Sequence, residues 1–187
     1  MKILLHVCCG PCSVGCIDML KEENIEFSAY WYNPNIHPYT EYESRKKSAV
    51  EYISNKMDIE FIEEGDYGLR VFLPEVAKTS YRCGMCYEMR FDKAAKYASE
   101  NGYDGFSSTL FVSPYQNHQK MIEVAESVAK KYGTSFFYRD FRPRFYDGLN
   151  RARAMGLYMQ KYCGCIFSEE ERYVQMKLKK KKKAQSS

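Results

Sequence analysis

Short apolar runs alternating with stretches of helical spacing constrain this chain more than any other feature. Residues 2–7, 26–32, 59–63, 105–111 and 135–138 read as strands, bounded by turn residues such as Gly10-Pro11, Asn33-Pro34 and Asn101-Gly102. Residues 13–21, 40–54, 87–100, 119–131 and 147–159 carry helical spacing, with a shorter helix expected near 71–77. Thr40 with Glu43 and Ser168 with Glu171 read as capping boxes, and Gly133 as a helix stop. Strands that alternate with helices require βαβ crossovers. The expected fold is therefore α/β, a Rossmann-like three-layer sandwich whose mainly parallel sheet of about five strands has helices on both faces. In such sheets ligands bind beyond the carboxyl ends of the strands. Cys8-Cys9, residues 33–38, Ser113-Pro114-Tyr115 and residues 140–144 are all expected on that edge.

With 187 residues and no repeat or Gly/Ser/Pro-rich linker, the chain reads as one α/β domain over 1–176, followed by a lysine-rich flexible tail over 177–187. Lys177 and Lys179 to Lys183 lie in that tail, and the formal charge of +4 depends on them. Attraction to nucleic acid must come from the tail or from local basic patches. One such patch is Arg139, Arg142, Arg144, Arg151 and Arg153, interleaved with Phe141, Phe145 and Tyr146. Guanidinium forks suit phosphates and aromatic rings suit unstacked bases, although a solvated face with inward aromatics would look the same. Apolar runs fall far short of the roughly 20 residues that span a bilayer, so no membrane partner is expected. Residues 1–7 are too short for a signal peptide, which points to the cytoplasm.

Cysteines stand at positions 8, 9, 12, 16, 83, 86, 163 and 165. Their tight clustering argues against structural staples and for metal or redox chemistry in a reducing compartment. Cys83-Gly84-Met85-Cys86 fits a zinc knuckle, a redox pair or half of an iron–sulfur site. Adjacent Cys8 and Cys9 can reach different irons of one cubane but seldom chelate one tetrahedral zinc; they could also be small buried hydrophobes. Two plus two thiolates match the four that a 4Fe–4S cluster requires. Cys163-Gly164-Cys165 could close a strained, labile disulfide or remain two unpaired thiols. Cys12 lies near enough to Cys8-Cys9 to bind an extra iron, and Cys16 reads as core.

Six motifs occur in one order: His6-Val7-Cys8-Cys9-Gly10-Pro11-Cys12, Tyr32-Asn33-Pro34-Asn35-Ile36-His37-Pro38, Arg82-Cys83-Gly84-Met85-Cys86-Tyr87, Ser108-Thr109-Leu110 leading to Ser113-Pro114-Tyr115-Gln116, Asp140-Phe141-Arg142, and Tyr162-Cys163-Gly164-Cys165. Together they resemble the QueH family of epoxyqueuosine reductases, over about residues 2–172. The resemblance implies reduction of epoxyqueuosine to queuosine in the anticodon loop of tRNA, the last step of queuosine synthesis. It implies a 4Fe–4S cluster on Cys8, Cys9, Cys83 and Cys86, a redox-active disulfide at Cys163 and Cys165, and an additional mononuclear iron for which Cys12 is the first candidate. An electron donor that the sequence does not identify is also required.

An epoxide becomes an alkene by taking two electrons and two protons, its oxygen leaving as water. Tyr115, His118 and Asp140 are the candidate proton donors near the ligand edge. Three rival readings remain. An ATP-using tRNA-modifying enzyme would need a phosphate-cradling loop after strand one, where Pro11 lacks an N–H and only one Gly is present. A zinc-binding RNA-binding protein would carry no inorganic sulfide. A thiol–disulfide or heterodisulfide reductase would act on a disulfide instead of tRNA.

Overall fold

The computed structural model describes residues 1–185, with side chains through residue 178. Four parallel strands form the sheet: β1 (Lys2–His6), β2 (Glu26–Trp31), β3 (Phe61–Glu63) and β4 (Gly105–Ser108), in the order β3-β2-β1-β4. Strand β1 is central, and Ile3, Leu4, Leu5 and Val7 are fully buried, as expected where both faces are covered. Seven helices accompany the strands among the described residues: α1 (Gly10–Glu22), α2 (Tyr39–Val50), α3 (Leu69–Val76), α4 (Arg82–Glu100), α5 (His118–Tyr132), α6 (Phe145–Ala154) and α7 (Ile166–Gln185). The chain steps outward from β1 through α1 to β2 and through α2 to β3, then crosses back to β4. Right-handed crossovers place α1 and α2 on one face and α4 on the other. The packing agrees: α1 meets α2 and α6, whereas α4 meets α5, β1 and β4.

Several expectations need correction in detail. The sheet has four strands, not five. Residues 135–138 make only an isolated bridge, Phe106 to Phe136. The cause is β4 itself, which curls after Ser108 into a tight helical turn, Thr109–Val112, capped by the Ser108 hydroxyl accepting from the Leu110 N–H. A longer edge is not there to pair with. Even this bridge depends on Gly105, where a Cβ would sit 2.6 Å from the Ser135 carbonyl oxygen.

The Thr40–Glu43 capping box does not form. Pro38 starts the helix two residues earlier, and no side chain caps it. Helix α2 ends at Val50 and continues as a wider π-helical stretch, Glu51–Lys56. Ser168 lies inside the first turn of α7, where its hydroxyl donates to the Cys165 carbonyl and accepts from the Gly164 N–H. Gly133 does close α5, in the left-handed conformation (φ 61°). The lysine-rich stretch expected as a tail falls on the second half of α7, and its side chains beyond Leu178 lie outside the described residues. Among the described residues no helix is long and apolar enough to cross a membrane.

Candidate metal centre and its cavity

The strand order places a switch point between β1 and β4, because the chain leaves these neighbours toward opposite faces. A crevice opens there at the carboxyl ends. Cys8 and Cys9 follow β1 directly and Thr109 follows β4. The Cys8 N–H donates to the Thr109 hydroxyl at 3.3 Å, and the Cys8 sulfur lies 3.5 Å from that oxygen. Cys9 is the N-cap of α1, its sulfur accepting from the Cys12 N–H at 3.3 Å. Helix α1 thus aims its positive end at the thiols. The Cys8, Cys9 and Cys12 sulfurs all lie within 4.8 Å of one another, close enough to share a metal ion.

Charge is distributed unevenly among these thiols. Hydrogen bonds from Cys12 and Cys9 hold the Cys8 thiol well below its ordinary value. Burial pushes Cys9 up, and the bond to Cys8 pushes Cys12 up. Gln160 reaches the same group, its Nε2 standing 3.1 Å from the Cys9 sulfur and 3.2 Å from that of Cys12. His6, beneath the thiols, is neutral: burial, then the charge of Arg90, lowers its pKa to about 4. Its Nδ1 meets the Ser108 hydroxyl and its Nε2 the Tyr32 carbonyl.

Cys83 and Cys86 lie in the first turns of α4. They are not within the sulfur triad, but the charge of one side chain acts on both groups. Arg90, one turn after Cys86, is only 2% exposed. Its Nε donates to the Cys86 carbonyl at 3.0 Å and its Nη2 to the Cys86 sulfur at 3.3 Å. It has no carboxylate partner among the described residues. Burial opposes its charge, yet the nearby thiols of Cys86, Cys163 and Cys8 raise its pKa. A buried cation needs a counter-charge, and sulfur is what surrounds it. For Cys86, burial pushes the thiol up to about 12, with Arg90 pulling it down.

The Cys163–Cys165 loop is held from below. Arg45 is also 2% exposed; its Nη1 and Nη2 donate to the carbonyls of Cys163 and Tyr162, each at 2.8 Å. Its Nε donates to buried Glu41 at 2.7 Å, and Tyr158 donates to the same carboxylate. The His37 N–H donates to the Gly164 carbonyl at 2.8 Å, and its ring Nδ1 accepts from the Ile166 N–H. Gly164 stands at φ 146°, a conformation that excludes most side chains. All eight cysteines are free thiols. Cys163 is exposed, 3.3 Å from the Gln116 amide nitrogen, whereas Cys165 is buried against Phe72 and Cys86.

These groups border one cavity of about 790 Å³, a size suited to a small ligand or a splayed nucleotide. Cys8, Cys12, Cys163 and Tyr115 line it. Asp140 and His118 do not. Asp140 forms a fork with Arg142, its Oδ1 accepting from Nε at 2.8 Å and its Oδ2 from Nη2 at 2.7 Å, and His118 Nε2 meets the Tyr138 hydroxyl. Most of the arginine patch is similarly occupied: Arg139 pairs with Glu23, Arg144 with Glu22 and Arg151 with Asp18. Sequence reasoning missed Arg90, Arg45 and Gln160. The first had a signal, the i, i+4 spacing that sets Arg90 one turn below Cys86. Gln160 meets the thiols, and Arg45 the Cys163 carbonyl, only through long-range folding.

The family model for epoxyqueuosine reductase QueH matches residues 3–171. The chain belongs to this family. It is 42% identical over 173 residues to an epoxyqueuosine reductase QueH of Dehalococcoides mccartyi, covering 92% of this chain and 94% of the relative. It is 36% identical to a protein of that name from Histophilus somni, over 89% of this chain and 72% of the relative. A QueH of Thermotoga maritima is 32% identical over 91% of each chain. The QueH match ends at residue 171, so the lysine-rich stretch lies outside it.

Proposed function

We propose that this chain reduces epoxyqueuosine to queuosine in the anticodon loop of tRNA, acting in the cytoplasm as the family name and sequence motifs suggest. The observation that carries the reading is Arg90. It is a buried guanidinium without a carboxylate partner among the described residues, bonded to the Cys86 sulfur and influenced by the charges of Cys163 and Cys8. An anionic thiolate centre would balance it, and four soft sulfur donors suit iron and sulfide. In this reading Cys8, Cys9, Cys83 and Cys86 hold a 4Fe–4S cluster, and Cys12 is the first candidate to hold an additional iron. When bound, such a cluster would supply electrons one at a time.

The chain's own groups do the rest. Arg90 offsets the charge of the thiolates, and the N-terminus of α1 orients Cys8 and Cys9. Arg45 and His37 fix the loop so that Cys163 faces the cavity and Cys165 stands behind it. Oxidation of these two thiols to a disulfide releases two electrons and two protons. Those are the quantities that turn an epoxide into an alkene and water. An external reductant then restores the dithiol. Tyr115, alone among the three proton-donor candidates, borders the cavity.

Anaerobic purification with iron, sulfide and EPR analysis tests the reading. Cys83→Ala is expected to lose the cluster, whereas Cys163→Ala keeps it and loses turnover on epoxyqueuosine-containing tRNA. Unchanged iron and sulfide in Cys83→Ala would overturn the ligand assignment. Zinc without sulfide in the unaltered protein would overturn the reaction class.

A further inference from the structure

At the mouth of the cavity stand the two most exposed large apolar side chains among the described residues, Tyr115 at 78% and Tyr146 at 70%. They come from distant parts of the chain, the loop after β4 and the start of α6. Both pack edge-on against Phe145: the Tyr115 and Phe145 centroids are 5.7 Å apart at 79°, those of Phe145 and Tyr146 5.1 Å apart at 75°. The three rings form one continuous ledge, with Tyr115 and Tyr146 exposed and Phe145 partly buried against the core. Exposing that much aromatic surface is unfavourable in water unless something covers it.

The charges around the mouth say what the cover is. Arg45, Arg144, Arg153, Lys161 and Arg172 line the cavity, against the single acid Glu171, which pairs with Arg82. Arg45 and Arg144 are occupied by Glu41 and Glu22. Arg153 bonds only its neighbour Asn150, and Lys161 and Arg172 have no ion pair among the described residues. Stacking faces beside uncommitted cations fit a single-stranded polyanion with aromatic bases. An apolar peptide would leave the cations bare, and an acidic peptide would leave the rings bare.

We propose that the Tyr115–Phe145–Tyr146 ledge stacks an unpaired base of the RNA loop next to the nucleotide that enters the cavity, with Arg153, Lys161 and Arg172 receiving its phosphates. The assignment rests on the proposed tRNA reading and adds where the loop is gripped. The ledge works through ring faces, so the Tyr115 hydroxyl is dispensable to it.

The probe is an anticodon stem-loop hairpin carrying 2-aminopurine beside the modified position. The unaltered protein should bind it and quench the fluorophore. Tyr115→Ala and Tyr146→Ala should each weaken binding roughly tenfold or more and relieve quenching, in line with the loss of a stacked base. Tyr115→Phe and Tyr146→Trp should bind as the unaltered protein does. Both positions are exposed, so thermal melting should be unchanged. Full affinity and quenching in the alanine variants would overturn the ledge. So would a self-associating protein that the alanine variants render monomeric with RNA affinity intact. Failure of the unaltered enzyme to reduce tRNA-borne epoxyqueuosine while the hairpin still binds through the rings would instead remove the proposed reaction and leave the ledge.

Discussion

The floor and the outer rim of the cavity handle charge in opposite ways. On the floor side, Arg45 lining the cavity and Arg90 behind it are buried and spend their hydrogen bonds on sulfur, on main-chain carbonyls and on the equally buried Glu41. Around the rim, where Arg144 lines the cavity and Arg139 and Arg142 lie outside its lining, the arginines are partly exposed and pair directly with carboxylates. Buried charges are costly to leave unpaired, whereas exposed pairs contribute little. The floor is therefore fixed by its own hydrogen bonds before any ligand arrives. The rim is an adaptable surface whose charges can be exchanged.

The sharpest break in this contrast is Arg45→Ala. It strands the buried Glu41 carboxylate and frees the carbonyls of Tyr162 and Cys163. A loss of about 3–5 kcal/mol in unfolding free energy is expected from breaking such a buried pair, measured by urea titration. Arg139→Ala, which removes a half-exposed pair with Glu23, should cost under about 1 kcal/mol in the same assay. Equal losses would erase the distinction between floor and rim.

Arg90→Gln asks what the buried cation does electrically. A reduced centre is more negative than an oxidised one, so a cation nearby favours reduction. Replacing Arg90 should lower the midpoint potential of the proposed cluster by about 59 mV or more, the one-electron equivalent of tenfold. Potentiometric EPR reads this without turnover. Arg90→Lys, which keeps the charge, should restore most of the shift. An unmoved potential in Arg90→Gln would make the residue a purely structural strut.

This contrast also explains what could be read from the sequence. The layer order and the placement of Cys8, residues 33–38 and Ser113–Tyr115 at one edge followed from alternation and periodicity, both local properties. The missing fifth strand did not, because the curl of β4 at Ser108 is set by a side-chain cap and by packing. The cysteine motifs announced themselves through spacing. Gln160 and Arg45 could not, since Gln160 reaches Cys9 across 151 positions and Arg45 reaches Cys163 across 118. Asp140 is a candidate proton donor by its place near the ligand edge, and the structure spends it on Arg142. Spacing locates donors, but only packing decides which of them are free.

The smallest effects should appear at the rim, and they separate arginines that look alike in sequence. Arg144 forks onto Glu22, so a phosphate must compete with a carboxylate already in place. Arg153 bonds only Asn150 Oδ1 at 3.2 Å and meets no such competitor. Removing a phosphate contact lowers the slope of log affinity against log salt by about 1. Arg153→Ala should show that loss with the stem-loop hairpin, measured by titration at several ionic strengths. Arg144→Ala should change the slope by clearly less, because one carboxylate is liberated as one guanidinium is lost. The reverse ranking would mean that the ion pair to Glu22 opens on binding and that the rim is rebuilt around the RNA.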